Sequence, residues 1–260
     1  MSEPYEPDNL LDRRTDAETL QVHYDHSQLR ERELLGRRLG IEGGDVLSVG
    51  CGWHPGRHLF PQPAWRMTGA DINSDMVGVL LERGEIDAGV TARAGELPFE
   101  PQSFDVVLYR LVLHHVAYQQ PLEPVFDEAA RLLRPGGALV LIEPGVWHPV
   151  GAGLALANRA GLGTWAHGTP DDIPLSPRAL RRAAEQAGLR PELHAVTYGW
   201  RRLPALAQRA LHGLDKLGSR ARLAPMGHTL LLIGRLYSTT SMPKPSWTNA
   251  SPSSTQPSRS

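Results

Sequence analysis

The reading turns on Leu47–Phe60, LSVGCGWHPGRHLF. An apolar, β-branched run from Val46 to Val49 leads into Gly50, Cys51 and Gly52, as a buried strand does when it hands over to a tight turn beneath a bound nucleotide. Where a third small residue is expected the chain inserts Trp53, His54 and Pro55, and reaches Gly56 only afterwards. Pro55 stiffens that excursion by fixing its φ angle. Glycines also serve as plain turn residues, so the stretch by itself leaves two readings: a cofactor loop with an insertion, or an ordinary turn.

Outward from this loop, short apolar runs alternate with helical patterns, which predicts parallel strands joined by crossover helices. Strands are expected at Asp45–Val49, Arg66–Ala70, Thr91–Ala94, Phe104–Leu108 and Ala138–Ile142, with GHTLLLIGRL as a closing strand buried on both faces. Helices are expected at Thr19–Leu39, with Leu29, Leu34, Leu35 and Leu39 inward, and at Ser74–Arg83, Leu122–Leu133 and Arg178–Ala187. Ser176 as N-cap, Pro177 at the first helical position and Gly188 past the end bracket the last of these. RPGG, Arg134–Gly137, ends a helix and turns into a strand.

The bulk properties fit a soluble enzyme-sized chain: 260 residues, 41% hydrophobic, 21% charged, formal net charge −1. That balance gives no electrostatic footprint for nucleic acid. The single cysteine, Cys51, excludes an internal disulfide and a cysteine-rich zinc site. No secretory signal and no run of about 18 apolar residues is present, so a cytoplasmic protein is expected. Residues 1–18 and the Ser/Pro/Thr-rich 241–260 are expected to be loose and disordered ends around a domain over 19–240.

A second feature sharpens the loop's meaning. MTGADINSDMV ends a strand at Asp71, roughly 20 residues after the glycine turn, where a carboxylate can accept hydrogen bonds from both ribose hydroxyls. The structural alternative is a helix N-cap, which Asn73 or Ser74 supplies equally well. Together, turn and acid indicate a nucleoside-containing cofactor without saying which.

The third feature selects among them. ARAGELPFEPQSFDVVLYRLVLHHV followed by EAARLLRPGGALVLIEP resembles the Ser-Phe-Asp and Arg-Pro-Gly-Gly segments of class I S-adenosylmethionine-dependent methyltransferases, especially the small-molecule group of quinone-pathway and natural-product enzymes. VGCG and GADI stand as the first two motifs, so the resemblance spans about Val46–Pro144 with four motifs in order. It implies an α/β fold with a Rossmann-like, seven-stranded, mostly parallel sheet and helices on both faces. It also implies methyl transfer from S-adenosylmethionine to a small molecule, with oxygen or carbon acceptors slightly favoured. By position, Gly50, Cys51 and Gly52 would pass under the methionine and ribose, Asp71 would bind the ribose hydroxyls and Ile72 would pack on the adenine. Ala94 and Gly95 would meet the adenine edge, and Tyr109 and Arg110 the methionine portion. Two departures are Ser48 and Arg93, where the family often has acids. Arg93 cannot accept from an adenine amino group.

Eleven histidines raise the question of a metal, but His54 and His58, the adjacent His114 and His115, and His148 and His167 near Asp171 and Asp172 do not make a converging set, and no metal is expected. Adjacent histidines are expected to point different ways. A general base is the better use, because methyl transfer needs one whenever the acceptor carries a proton. The position of His114 matches a histidine that pairs with an N-terminal tyrosine in phosphoethanolamine methyltransferases, which makes Tyr24 its candidate partner. His148 is a second catalytic candidate; the structural alternative for both histidines is a ring bonded to backbone.

Gly145–Leu175 departs from the minimal family pattern, with a short apolar helix expected within Val150–Leu162, and would cap the acceptor pocket. Trp147, Trp165 and His167 would line it as a partly apolar wall, and Arg201, Arg202 and Arg209 in a second insert could meet an anionic group or simply face solvent. The expected partner is a small-molecule substrate, with no nucleic acid and no membrane, and the chain a monomer or homodimer. Two rivals remain: a non-enzymatic protein of the same fold that binds the cofactor or a partner, and a different reaction of the sulfonium.

Overall fold

A computed structural model describes residues 15–52, 54–162, 173–218 and 222–236. Of the expected loose ends 1–18 and 241–260, residues 1–14 and 241–260 lie outside these described residues, whereas Ala17 and Glu18 already belong to a helix; Trp53, Trp165, His167, Asp171 and Asp172 also lie outside. The elements in order are α1 (Ala17–Arg38), β1 (Gly44–Val49), β2 (Trp65–Asp71), α2 (Ser74–Glu82), β3 (Ala88–Thr91), β4 (Phe104–Arg110), α3 (Leu113–Gln119), α4 (Glu123–Leu132), β5 (Leu133–Pro144), α5 (Pro149–Arg159), α6 (Pro177–Gln186), β6 (Leu189–Thr197), α7 (Ala205–Gly218) and β7 (Thr229–Leu236).

The strands form one sheet in the order β3-β2-β1-β4-β5-β7-β6, parallel except for β7, which runs antiparallel to both β5 and β6. Strand order reverses between β1 and β4, which opens a crevice beyond their carboxyl ends. Successive side chains point to opposite faces, and each face has its own core. Leu47, Val49, Val107 and Tyr109 pack under α4 and α6 with Phe126, Leu132, Leu180 and Ala184. Val46, Val106, Leu108 and Val140 pack under α1 and α2 with Leu34, Leu35, Val77 and Leu80. The expected seven-stranded, Rossmann-like architecture with helices on both faces is what forms.

Local differences from the expectations have physical causes. β3 occupies Ala88–Thr91 instead of Thr91–Ala94, and beyond it Arg93 and Glu96 pair across a turn. Gly89 obscured this strand, but the fold needs it: a Cβ there would lie 2.4 Å from Val77 Cγ1, so its absence lets α2 sit against the sheet. α1 begins where Asp16 Oδ2 accepts the Thr19 N–H at 2.9 Å. Leu29 is 47% exposed, however, and the buried face of α1 carries His23, Ser27, Arg30 and Glu31 beside Leu20, Leu34 and Leu35. Ser176 stands at the N-cap of α6, but its side chain makes no capping hydrogen bond. RPGG lies inside β5, where the register against β4 slips between Phe104 and Val106 and Gly136 takes φ +85°.

α3 was not foreseen, because its start signal is remote. Val112 at its N-cap has no side-chain cap of its own. The Glu143 carboxylate, carried in from β5, accepts the Val112 and Leu113 N–H groups at 2.9 and 2.8 Å. Among the described residues no helix is long and apolar enough to cross a membrane.

Candidate active site

The crevice between β1 and β4 holds a cavity of about 400 Å³, within the roughly 300–1,000 Å³ common for small-molecule sites. Its floor is the turn after β1. Gly50 takes φ +63°, and a Cβ on it would lie 2.2 Å from Val112 Cγ2, so the turn admits only glycine there. Gly52 is different: a Cβ would meet nothing nearer than 3.8 Å, which leaves its backbone open to a ligand.

Asp71, at the end of β2, lines the same cavity. Its Oδ2 accepts the Gly52 N–H at 2.8 Å and its Oδ1 the Asn73 N–H at 2.9 Å. Each oxygen keeps a lone pair for a further donor. The N-cap of α2 is Asn73, whose Oδ1 accepts from Asp75 and Met76, so Asp71 is not needed for that structural role. Burial first, and the Asp71 charge second, push the Cys51 thiol up to about 12, so Cys51 shapes the turn without acting as a thiolate. After Trp53, the His54 N–H donates back to Cys51 O at 3.0 Å, Pro55 is buried, and His54 lines the cavity.

The opposite side is built by β4, α3 and α1. His114 and His115 both line the cavity, their rings 4.1 Å apart, contrary to the expectation that adjacent histidines diverge. Behind them, His114 Nδ1 lies 2.7 Å from Glu143 Oε2, and Glu143 is wholly buried. Tyr24, His23 and Ser27 enter from α1. That helix is tied to the sheet by Glu31, which takes the Arg110 Nε and Nη2 at 3.0 and 3.2 Å and has His58 Nε2 at 3.2 Å. Burial alone would raise the Glu31 carboxyl, but the Arg110 charge and the contact with His58 outweigh it and hold it at about 2. Deeper along α1, His26 Nε2 lies 2.7 Å from Asp215 Oδ2, and the His26 ring stacks 3.6 Å from that of His212.

The structure gathers Gly50, Cys51, Gly52, Asp71, His114 and Tyr24 around one cavity. Arg110 also lines it, whereas Ile72, Ala94, Gly95, Tyr109 and His148 do not. Ile72 follows Asp71 outside the described lining and is 69% exposed. Ala94 and Gly95 are half-buried in the turn after β3, with Ala94 O 3.5 Å from the Tyr109 hydroxyl. Tyr109 is buried in the core beneath the site, where desolvation raises its phenol. His148 caps α5, its Nδ1 accepting the Val150 N–H at 3.3 Å, and burial lowers its pKa.

His148 borders a second, apolar cavity of about 340 Å³ formed with Trp200, Leu203, Leu211 and Met226, and its ring meets that of His228 from the first cavity edge-to-face at 5.2 Å. Trp147 lies beneath the Arg178 guanidinium at 4.9 Å instead of lining either cavity. Trp165 and His167 lie outside the described residues, and the described lining of the first cavity carries His23, Tyr24, Ser27, His114 and His115. Arg201 is in it, whereas Arg202 covers Trp200 and Arg209 is exposed. Among the described residues no three His, Cys, Asp or Glu side chains converge as metal ligands would. Sequence reading missed Glu143 and Glu31, whose roles depend on partners 27 to 79 residues away.

This sheet order and a glycine turn facing a strand-end acid define a class I methyltransferase fold. Residues 47–141 match the family model described as a methyltransferase domain. A demethylmenaquinone methyltransferase of Tropheryma whipplei is 33% identical over 110 residues, which cover 41% of this chain and 45% of that protein. The chain thus matches less than half the length of this relative. A Thermotoga maritima structure described as an S-adenosylmethionine-dependent methyltransferase, possible histamine N-methyltransferase, superposes with a TM-score of 0.60 at 15% identity over 84% of this chain and 93% of that one. The geranyl diphosphate C-methyltransferase of Streptomyces coelicolor, solved with Mg²⁺, geranyl diphosphate and S-adenosyl-L-homocysteine, superposes with a TM-score of 0.56 at 17% identity over 91% and 89%.

Proposed function

We propose that the protein is a methyltransferase that binds S-adenosylmethionine over Gly50–Gly52 and Asp71 and methylates a small-molecule acceptor, at oxygen or carbon in preference to nitrogen. The observation that carries this is the sharing of one cavity by the glycine turn, Asp71, Tyr24 and His114. Bound there, the cofactor supplies an electrophilic methyl group. Asp71 offers its remaining lone pairs to the ribose hydroxyls, the bare backbone at Gly52 admits close approach, and exposed Ile72 is placed to cover the adenine beside the Ala94–Gly95 turn. Tyr109 supports the strand end from within the core. Tyr24 and His114 orient the acceptor, and His114 receives its proton. His148 takes no proton in this scheme.

Similarity to a demethylmenaquinone methyltransferase and to a geranyl diphosphate C-methyltransferase supports a small acceptor over the non-enzymatic reading. On this reading residues 19–240 act as one unit, 145–175 caps the acceptor side, and the protein works in the cytoplasm as a monomer or homodimer without nucleic acid.

Calorimetric titration with S-adenosylmethionine and S-adenosylhomocysteine tests the reading. Micromolar binding is expected, and Asp71→Ala should weaken it about 10- to 100-fold, the equivalent of one or two lost charge-assisted hydrogen bonds. If folded wild-type protein binds neither ligand, the proposal fails.

A further inference from the structure

Glu143 stands behind the cavity, inside the EAARLLRPGGALVLIEP segment but with no role assigned to it by the resemblance. It is wholly buried at the end of β5, and three donors or potential donors surround it. Its Oε1 accepts the Val112 and Leu113 N–H groups at 2.9 and 2.8 Å, and its Oε2 is 2.7 Å from His114 Nδ1. Backbone N–H groups can only donate, so the carboxylate's orientation is set by α3 before the histidine is considered. The distance to Nδ1 is that of a charge-assisted hydrogen bond. His114 lines the cavity and Glu143 does not, so the carboxylate approaches the imidazole from behind.

We infer that Glu143 is a positioning residue: it holds the proton of His114 on Nδ1, so that Nε2 carries the ring's lone pair as the base for a proton-bearing acceptor. The catalytic consequence rests on the methyl-transfer reading; the tautomer does not. In the transfer, the acceptor's X–H bond breaks and its proton goes to Nε2, while the acceptor's electron pair forms the bond to the methyl carbon. The C–S pair stays on sulfur, leaving the neutral thioether S-adenosylhomocysteine. The positive charge that began on the sulfonium ends on the imidazolium, where Glu143 meets it at 2.7 Å. A carboxylate so placed favours hydroxyl or acidic carbon acceptors, whose proton must leave, over acceptors that are nucleophilic without losing one.

Glu143→Gln separates this role from simple packing. The amide oxygen must still serve the Val112 and Leu113 N–H groups, so the NH₂ group is the one turned to His114. That group donates, which forces the lone pair onto Nδ1 and the proton onto Nε2.

The test is long-range ¹H–¹⁵N correlation of histidine-labelled protein with the ring neutral, the His114 signals assigned by their loss in His114→Gln. The wild type should carry its proton on Nδ1, Glu143→Gln should carry it on Nε2, and Glu143→Asp should keep the wild-type tautomer. With an acceptor in hand, kcat of Glu143→Gln should fall about 10²- to 10⁴-fold while S-adenosylmethionine affinity is unchanged. A wild-type ring protonated on Nε2, a Glu143→Gln ring with the wild-type tautomer, or an unchanged kcat overturns the inference. If Glu143→Gln does not fold, the wild-type and Glu143→Asp spectra decide. If the tautomers are as expected but the protein binds no S-adenosylmethionine, the methyl-transfer reading falls and the positioning of the ring by Glu143 stands.

Discussion

Gly50 and Gly52 are two residues apart and do different work. Gly50 combines φ +63° with a neighbour, Val112 Cγ2, that a Cβ would approach to 2.2 Å. The backbone conformation alone costs a non-glycine residue about 1–2 kcal/mol, and forced overpacking typically adds about 1–3 kcal/mol. Val112 is also the residue whose N–H meets Glu143, so displacing it disturbs the His114 support. Gly50→Ala is therefore expected to lower stability by about 2–4 kcal/mol in urea unfolding and to weaken cofactor binding. Gly52→Ala has open space in front of it and φ +36°, so it should lose only about 1 kcal/mol while its methyl group intrudes on the ligand. Equal stability losses for the two variants would contradict this division.

At the scale of elements, α1 is the piece whose attachment is least like the rest. Its contacts with the site are polar, and the strongest is Glu31 with Arg110, both buried. Removing one partner of a buried pair leaves the other charge uncompensated, at a cost of about 3–5 kcal/mol. Glu31→Gln should show a loss of that order, and Glu31→Gln with Arg110→Met should recover part of it; an additive double mutant would mean the pair is not coupled. Because the folded-state Glu31 carboxyl is held at about 2, its stabilisation is complete above the ordinary carboxylate range and is lost as pH falls toward 2.

The same contrast explains which elements the sequence reveals. β1, β2, α2 and α4 follow from local periodicity and caps, as with Asn73 at the start of α2. α3 follows from a carboxylate 30 residues away, so no local window contains its start. Glycine turn and Asp71 were legible because backbone geometry at a strand end leaves a sequence trace. Glu31 and Glu143 were not, because their meaning lies in which distant side chain they meet.

For the whole molecule, the cavity is closed on one side by a layer in which histidines face one another across α1, α7 and the loop before β7. His26 stacks on His212 at 3.6 Å, His23 lies 6.4 Å from His212 and 6.2 Å from His228, and the buried Asp215 holds His26 while accepting the Tyr198 N–H at 2.8 Å. Burial first, and the charge of His26 second, lower His212 to about 4, against the favourable pull of Asp215. The sign of the linkage follows from which state binds the proton. Between about pH 6.5 and 4 the unfolded chain protonates this imidazole and the folded chain does not, so acidification through that window favours unfolding. Glu31 contributes only at the acid end of that window, where the unfolded carboxyl begins to take a proton and the folded one does not. Thermal unfolding should accordingly show a midpoint that falls on acidification from pH 6.5 to 4. His212→Gln should flatten that fall by about 2–4 °C for each kcal/mol of linkage removed, whereas Glu31→Gln should lower the whole curve and flatten only its acid end. A His212→Gln profile as steep as the wild type would place the acid sensitivity elsewhere.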